Sequence, residues 1–481
     1  MDYTSPGHHK SFASFRAHLR AVAAECDADE ILLGAAGPLG RAIDVHGKAL
    51  ENRFAIHPME GWDGTRDGLP SELTLRRWRR FGQSGAALIW GGEAFAVRRD
   101  GRANPLQLYL EPAVDTKAGL AALHAELVAG IRERGGDPAR VSIGLQLTHS
   151  GRWSRPDGPF APKIATHAPA LDAKAKLDEH MPLLSDGELE SIGEDFVRSA
   201  VLAREVGFDF VDVKACHGYL LHELLAAHER PGIYGGSFEN RTRLHARIVR
   251  AIRVACPGLA IGTRLSLGDV HPYWPAEGTR IGEPRGYEQR LPYRHGFGVS
   301  ADDPRELDLA EPLRFLARLR DLDVRLVNLT LGSPYTCPHL QRPAGYPPSD
   351  GYLPPEDPLR SVAKHVLAVR AAKHAVPELL YVGTGYSYLQ EWLPNVAQHE
   401  IAAGHLDFVG LGRMVLVYPE LPRDVLAGTK LERKKICRTF SECTTAPRNG
   451  MVSGCYPLDP FYRARPEAPR VRALQRGEAN A

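Results

Sequence analysis

Long apolar runs are missing from this chain. No stretch of its 481 residues approaches the ~18 consecutive apolar side chains that cross a bilayer. The opening residues, Met1 to His9, are polar and lack the apolar centre of a secretion signal. Cysteine is scarce as well. Seven in so long a chain do not make a disulfide scaffold, and an odd number leaves at least one thiol unpaired. A reducing, cytoplasmic setting is the simplest reading. Strong charge of one sign is also lacking: 60 basic against 58 acidic residues leave a net +2. The basic residues are dispersed rather than run together, which argues against a nucleic-acid footprint. Neither nucleic acid nor membrane is therefore expected as a partner; the partner expected is a small-molecule substrate. With 43% apolar and 25% charged residues, the chain can bury a large core. Its length suits one large barrel or two to three ordinary domains.

What is present is an alternation. Short apolar, β-branched runs, each ending in glycine or a polar residue, are separated by longer helical patterns. Eight such runs occur: Arg53–Met59, Ala86–Ala94, Ser142–His149, Phe208–His217, Leu259–Ser266, Val324–Gly332, Leu379–Gly385 and Leu406–Arg413. Near-continuous hydrophobicity within them suits strands covered on both faces, as in a parallel sheet. The amphipathic segments between them include Leu73–Gly85, Asp115–Gly135 and Pro358–Ala375. Ser185–Gly207 opens with a serine followed three residues later by Glu188, the spacing of a capping box. Eight strand–helix units point to an α/β fold, a TIM (β/α)8 barrel. An open doubly wound sheet is the competing arrangement. The expected organisation is an N-terminal extension (1–52) with a helix over Phe12–Cys26, a barrel (53–429), and a cysteine-containing tail (430–481). Long loops at 153–184, 271–308 and 334–355 follow strands three, five and six. That is the face on which barrel enzymes place their chemistry.

Polar residues collect at the strand ends. Val382-Gly-Thr-Gly385 ends strand seven, and Val409-Gly-Leu-Gly412-Arg413 ends strand eight. Glycines there let backbone N–H groups approach a phosphate, and Arg413 adds a charged fork; equally, glycines merely end strands. Gln146 and His149 end strand three, Lys214 and His217 strand four, Arg264 strand five, and Glu60 follows strand one. An inward arginine or lysine is costly unless it is paired or meets an anion. Arg264 could pair with Asp269, Lys214 could be a salt-bridged strand end, and His149 has a structural role by default. Together they resemble a ligand floor.

The ordered set of motifs resembles the old yellow enzymes and their larger relatives, the dienoyl-CoA reductases and trimethylamine dehydrogenases, over about Asn52 to Pro419. The strongest piece is Cys216-His-Gly-Tyr-Leu-Leu-His-Glu-Leu followed by Tyr234-Gly-Gly-Ser-Phe-Glu-Asn-Arg241. Gln146-Leu-Thr-His-Ser-Gly-Arg152, Thr263-Arg-Leu-Ser266 and Asp407-Phe-Val-Gly-Leu-Gly-Arg413 support it. The resemblance implies FMN as cofactor and NAD(P)H as electron donor. It places Gln146 at the flavin pyrimidine edge and Arg264 near N1 and the C2 carbonyl, where a fixed cation stabilises the charge left by reduction. It places Ala94 beside the ring, Pro58 and Met59 as the backbone under it, and Gly385, Gly412 and Arg413 at its phosphate. Lys214 and His217 stand where relatives carry a histidine pair that binds the substrate oxygen. Tyr219 matches a general acid that protonates the α-carbon. Relatives are often oligomers, so a homo-oligomer is compatible with the resemblance.

Three departures stand out. Glu60 falls where many relatives have Thr or Cys near the flavin C4 carbonyl, and Lys214 could be its partner. The tail carries Cys437, Cys443 and Cys455 at the spacing of a four-iron–four-sulfur (4Fe-4S) site, but Phe440 takes the second ligand position. Four thiolates or a substitute are needed, so three buried thiols, rather than a cluster or a metal site, are expected. The chain ends at Ala481 without the nucleotide-binding domains of the larger relatives, so electrons are expected to enter and leave through the barrel mouth. The function expected is NAD(P)H-dependent reduction of an activated C=C bond by hydride from flavin N5. The alternatives are a flavin-dependent dehydrogenase or oxidase, and a flavin-free lyase or isomerase using Lys214 as a Schiff base. Trp153, Tyr273 and Trp274 suggest a ring-bearing substrate, and Lys214 with Arg152 an anionic one.

Overall fold

The computed structural model describes residues 3–178 and 180–478; Met1, Asp2, Glu179 and the last three residues of the tail lie outside them. Eight parallel strands close into a barrel. They are Phe54–Ile56, a second strand in two parts (Leu88–Ile89 and Ala94–Ala96), Ser142–Thr148, Phe210–Val213, Ala260–Ser266, Leu326–Thr330, Leu380–Gly383 and Phe408–Leu411. Strand eight pairs with strand one (Val409 with Phe54), and both parts of strand two pair with strand three. Each run read from the sequence meets one strand; seven contain theirs, while the second part of strand two continues to Ala96, past the run Ala86–Ala94.

The intervening helices follow their signals. Asp186–Val206 opens on the reciprocal Ser185–Glu188 capping box and ends on Gly207, whose φ of 106° is the left-handed conformation that glycine adopts without strain. Below the barrel, a hairpin of Ile43–Val45 and Lys48–Leu50 plugs the end away from the mouth. Val45 and Leu50 pack there with Leu88, Trp90, Phe210, Leu326 and Phe408 as the apolar interior. Above this layer the interior turns polar. Ala94, Gln146 and Asp212 lie in register across strands two, three and four, as do Arg264 and Asn328 across strands five and six. The N-terminal helix Phe12–Val22 packs outside, with Phe15 stacked on Trp392 at 5.0 Å.

One buried cluster fixes the ends of strands one and two. Arg77, from helix Glu72–Gly82, binds Asp63 through Nε (2.8 Å) and Nη2 (2.9 Å) and reaches Glu93 through Nη2 (2.5 Å). Its Nη1 donates to the carbonyls of Met59 and Gly92. The two carboxylates hold Arg77 firmly protonated against the cost of burial. Burial, opposed by Arg77 and reinforced by Asp63, pushes the Glu93 carboxyl up to about 8.

Because removing one partner strands buried charge, Arg77→Ala should cost about 3–5 kcal/mol, read as a fall in the urea unfolding midpoint. Arg79→Ala on the same helix, whose pairs with Glu126 and Glu133 are solvent-exposed, should leave that midpoint nearly unchanged. Equal midpoints would remove the cluster from its structural role.

Candidate active site at the barrel mouth

The floor of the mouth is organised by Asp212. This fully buried carboxylate accepts from Trp90 Nε1 (2.7 Å), Gln146 Nε2 (2.6 Å) and the Arg264 backbone N–H (2.8 Å). Burial raises its pKa and these donors oppose the rise. With the Gln146 amide nitrogen so engaged, its carbonyl oxygen is the group kept for a ligand. Arg264 is the uncompensated charge. It is 5% exposed, donates through Nη1 to the Pro58 carbonyl (3.4 Å), and leaves Nε buried without a partner. Among the described residues its guanidinium forms no ion pair. The pairing with Asp269 is not made: Asp269 lies near Glu223 and Arg152, and burial pushes its carboxyl up to about 7. A buried cation without a counter-charge is a group waiting for an electron-rich ligand.

Two cavities meet at Arg264. The outer one, about 470 Å³, is lined by Pro58, Glu60, Ala94, Gln146, Lys214, His217 and Tyr219. The inner one, about 160 Å³, runs past Pro58 and Met59 to Thr384, Gly385, Gly412 and Arg413. Gly385 has φ 98°, and a Cβ there would press on His365 at 3.3 Å, so both the turn and the close packing call for glycine. Arg413 donates to the Pro343 carbonyl (2.7 Å) but keeps Nη1 buried and unpartnered. Arg342, from the loop after strand six, lines both cavities and keeps Nη2 unpartnered. Burial, with Arg448 and Arg413 nearby, pushes its guanidinium down to about 9. Two arginines with open N–H groups around glycine turns have the donor chemistry of a phosphate site. The pattern had marked Arg413; Arg342 escaped it, because nothing in the sequence says that this loop folds back over strand eight.

The other side of the mouth carries the residues expected to meet a substrate. Lys214 is buried with its ammonium 3.7 Å above the Tyr219 ring, and burial lowers its pKa. It makes no ion pair among the described residues, so neither the strand-end bridge nor a direct pairing with Glu60 is present. His217 sits at φ 65° with Nε2 3.2 Å from Gln341 Nε2. Burial and the nearby Arg264 and Lys214 hold its pKa well below the usual value, which favours the neutral imidazole. Tyr219 donates to Glu60 Oε2 (2.7 Å) and touches the Tyr335 hydroxyl (3.0 Å). Burial and Glu60 keep its phenol protonated. Tyr335, which the sequence reading missed, stacks on Trp153 at 4.5 Å.

Other expected residues lie away from the site. His149 accepts from the Gly151 N–H (3.1 Å) and stands 3.6 Å from Asp100, a structural histidine. Arg152 is buried against Glu223 (2.9 Å) and Asp172, so it attracts no substrate. Of the three loop aromatics, Trp153 lines the outer cavity. Tyr273 packs on His339 instead, and Trp274 lies under Lys174.

The tail is a wall of the mouth. Cys443, Thr444, Arg448 and Ser453 line the outer cavity. The segment is fastened by Arg448–Asp350 (2.6 Å) and Arg76–Asp459 (3.0 Å). All seven cysteines are free. Cys437 and Cys455 are buried, and Phe440 lies against Tyr346 at 5.5 Å. Among the described residues no group of three or more His, Cys, Asp or Glu side chains is placed to hold a metal ion. No described helix is long and apolar enough to cross a membrane.

Residues 39–277 match the model of the NADH:flavin oxidoreductase / NADH oxidase family. The NADPH dehydrogenase of Geobacillus sp. (strain WCH70) is 30% identical over 51% of this chain and 67% of its own length. That of Bacillus subtilis (strain 168) is 29% identical over 47% of this chain and 63% of its own. The chain thus spans about two thirds or less of these curated relatives. Among solved structures, a 2-naphthoyl-CoA reductase complex has TM-score 0.61 at 16% identity, covering 90% of this chain and 58% of that one. Morphinone reductase has TM-score 0.54 at 20% identity, covering 82% and 91%. At such identities these two show the barrel fold.

Because His217 is buried neutral, its imidazole should remain uncharged at pH 6.5, where an exposed histidine is half protonated, as read from its ring nitrogens by NMR. Its folded pKa lies below the unfolded value, so its contribution to stability is present above about pH 6.5 and is lost as the pH falls. A half-protonated ring at pH 6.5 would contradict the electrostatics.

Proposed function

The chain belongs to the NADH:flavin oxidoreductase / NADH oxidase family, and from that premise we propose that it binds FMN in the two joined cavities and uses NAD(P)H to reduce an activated C=C bond. The observation that carries this reading is Arg264, a buried guanidinium with an open N–H and no carboxylate. Such a group needs an electron-rich partner at the floor of the mouth, and a flavin pyrimidine edge is one. The residues fit the group along its length. Arg413 and Arg342, with open N–H groups beside Gly385 and Gly412, would hold the phosphate. Pro58, Met59 and Ala94 would flank the ring, and Gln146 would meet its amide-like edge. Flavin bound there supplies reversible hydride chemistry. The names of the curated relatives favour NADPH as the donor.

The chain's own residues divide the remaining work. Arg264 holds positive charge where electron density would accumulate and needs no reorganisation to do so. Lys214 and the neutral His217 border the same cavity and can each donate a hydrogen bond to a carbonyl oxygen, drawing electron density from the conjugated double bond. Tyr219, with its phenol protonated, is placed to give a proton to the carbon that becomes electron-rich. Trp153 and Tyr335 form an aromatic wall suited to a flat substrate.

Purified protein should be yellow with bound FMN. NADPH should bleach it, and an α,β-unsaturated ketone should restore the colour. Arg264→Met should slow reduction by roughly 10²-fold while the barrel still folds, the scale for losing one fixed electrostatic donor. Protein that stays colourless after reconstitution with FMN would defeat the proposal.

A further inference from the structure

Glu60 accepts at both oxygens, and the two contacts differ in kind. Asn104 donates from Nδ2 to Oε1 (3.0 Å), and its amide cannot be turned round because its own Oδ1 accepts from the Leu106 N–H (2.9 Å). Asn104 is fully buried, so Oε1 is a committed acceptor. Any proton on the carboxyl must therefore sit on Oε2, the oxygen 2.7 Å from the Tyr219 hydroxyl. A phenol has one hydrogen to give, and a carboxylate can only accept. While Glu60 is ionised, the Tyr219 hydrogen is spent on Oε2. Its oxygen is then left to accept, from the Tyr335 hydroxyl at 3.0 Å or from a substrate. Once Glu60 is protonated, Oε2 donates to the Tyr219 oxygen and the phenolic hydrogen is free to point elsewhere.

We propose that Glu60 is a positioning residue whose protonation decides whether Tyr219 acts as proton donor or proton acceptor toward the substrate carbon. This rests on the reductase reading for the identity of that carbon. In reduction, a bound flavin reduced by NAD(P)H would supply the hydride for the β-carbon, and the α-carbon takes the Tyr219 proton. The phenolic O–H bond breaks as the C–H bond forms, Tyr219 regains a proton from Oε2, and Glu60 ends as a carboxylate that reloads from the mouth. In the opposite direction, ionised Glu60 draws the phenolic proton as Tyr219 takes one from the substrate, and hydride leaves to oxidised flavin. One pair of side chains thus serves either direction, selected by pH. The groups facing this pair are Lys214 over the Tyr219 ring, Tyr335 from the strand-six loop, and Arg264, Arg342 and His217 across the cavity. Arg155, Lys174 and the Arg448–Asp350 pair stand at its rim. The proton on Oε2 is the variable.

The test needs no turnover in its first arm. Protein carrying ¹³Cζ-labelled tyrosine, without flavin, is followed by NMR across pH, with the Tyr219 signal assigned from Tyr219→Phe. The wild-type signal should shift with one inflection as Glu60 ionises. Glu60→Gln, which keeps the shape but not the charge, should lose that inflection, and Tyr335→Phe should keep it. An inflection surviving in Glu60→Gln, or none in the wild type, overturns the proposal. In the second arm, reduced holoenzyme is mixed with an enone, and the reoxidation rate is divided by the NADPH reduction rate of the same variant. Above the inflection this ratio should fall about tenfold per pH unit in the wild type and stay level in Glu60→Gln; parallel profiles overturn it. Protein that never takes up flavin defeats the reductase reading, while the first arm still decides whether Glu60 controls Tyr219.

Discussion

Buried charge is the constraint from which the rest of this molecule follows. A guanidinium taken out of water costs several kcal/mol unless something compensates it, and the barrel contains both outcomes. At Arg77 the compensation is complete: Asp63 and Glu93 bind the guanidinium and the Met59 and Gly92 carbonyls finish the hydrogen bonding. That cluster ties the end of strand one to the break in strand two, so Pro58, Met59 and Glu60 leave the barrel along a fixed path. At Arg264 compensation is withheld. The one carboxylate beneath it, Asp212, binds its backbone and not its guanidinium. A rigid scaffold bought with one satisfied arginine thus presents another, unsatisfied, to whatever enters.

The architecture was legible in the sequence because each strand, buried on both faces, is written as an apolar run of its own. The capping box at Ser185 and the glycine at Gly207 made one helix readable at both ends. The two-part second strand was not readable: Gly91 and Gly92 mark a break, but which side of it resumes pairing with strand three is a matter of tertiary register. Site residues carried by strand ends were equally accessible, since Gln146, Lys214 and Arg264 are costly where they stand and a cost asks for a reason. Residues delivered by loops were not. Tyr335, Asn104 and Arg342 reach the mouth from segments with no periodicity, and their placement depends on how those loops pack on one another.

The tail shows the same limit from the other side. Its cysteine spacing suggested three packed thiols but said nothing of where the segment lies, and in this structure it works mechanically. Thr444 and Ser453 bond to Arg342 and to the Trp62 backbone, and Arg448 pairs with Asp350 at the rim. A small apolar cluster of Ala446, Met451, Tyr456 and Tyr462 keeps the segment folded. With Phe440 packed on Tyr346 where a fourth thiol would stand, aromatic packing occupies that position. The tail closes one side of the cavity and positions Arg342, a contribution that spacing alone does not reveal.

The remaining charges at the mouth form a graded set. Lys214 is buried over an aromatic face, where the ring quadrupole offsets part of its desolvation without neutralising it as a carboxylate would. That keeps its hydrogens available for an incoming oxygen while lowering the cost of holding them there. His217 is different: its burial, with Arg264 and Lys214 nearby, holds its pKa well below the usual value, which limits the positive potential the floor must carry. Glu60, the carboxyl held at the phenol of this group, is engaged with neutral donors, Asn104 and Tyr219, and not with a cation. A carboxyl bound only by neutral donors can lose or gain a proton without breaking an ion pair. On the proposed reading, proton transfer at Tyr219 would reverse with no ion pair at Arg264 or Lys214 to be broken.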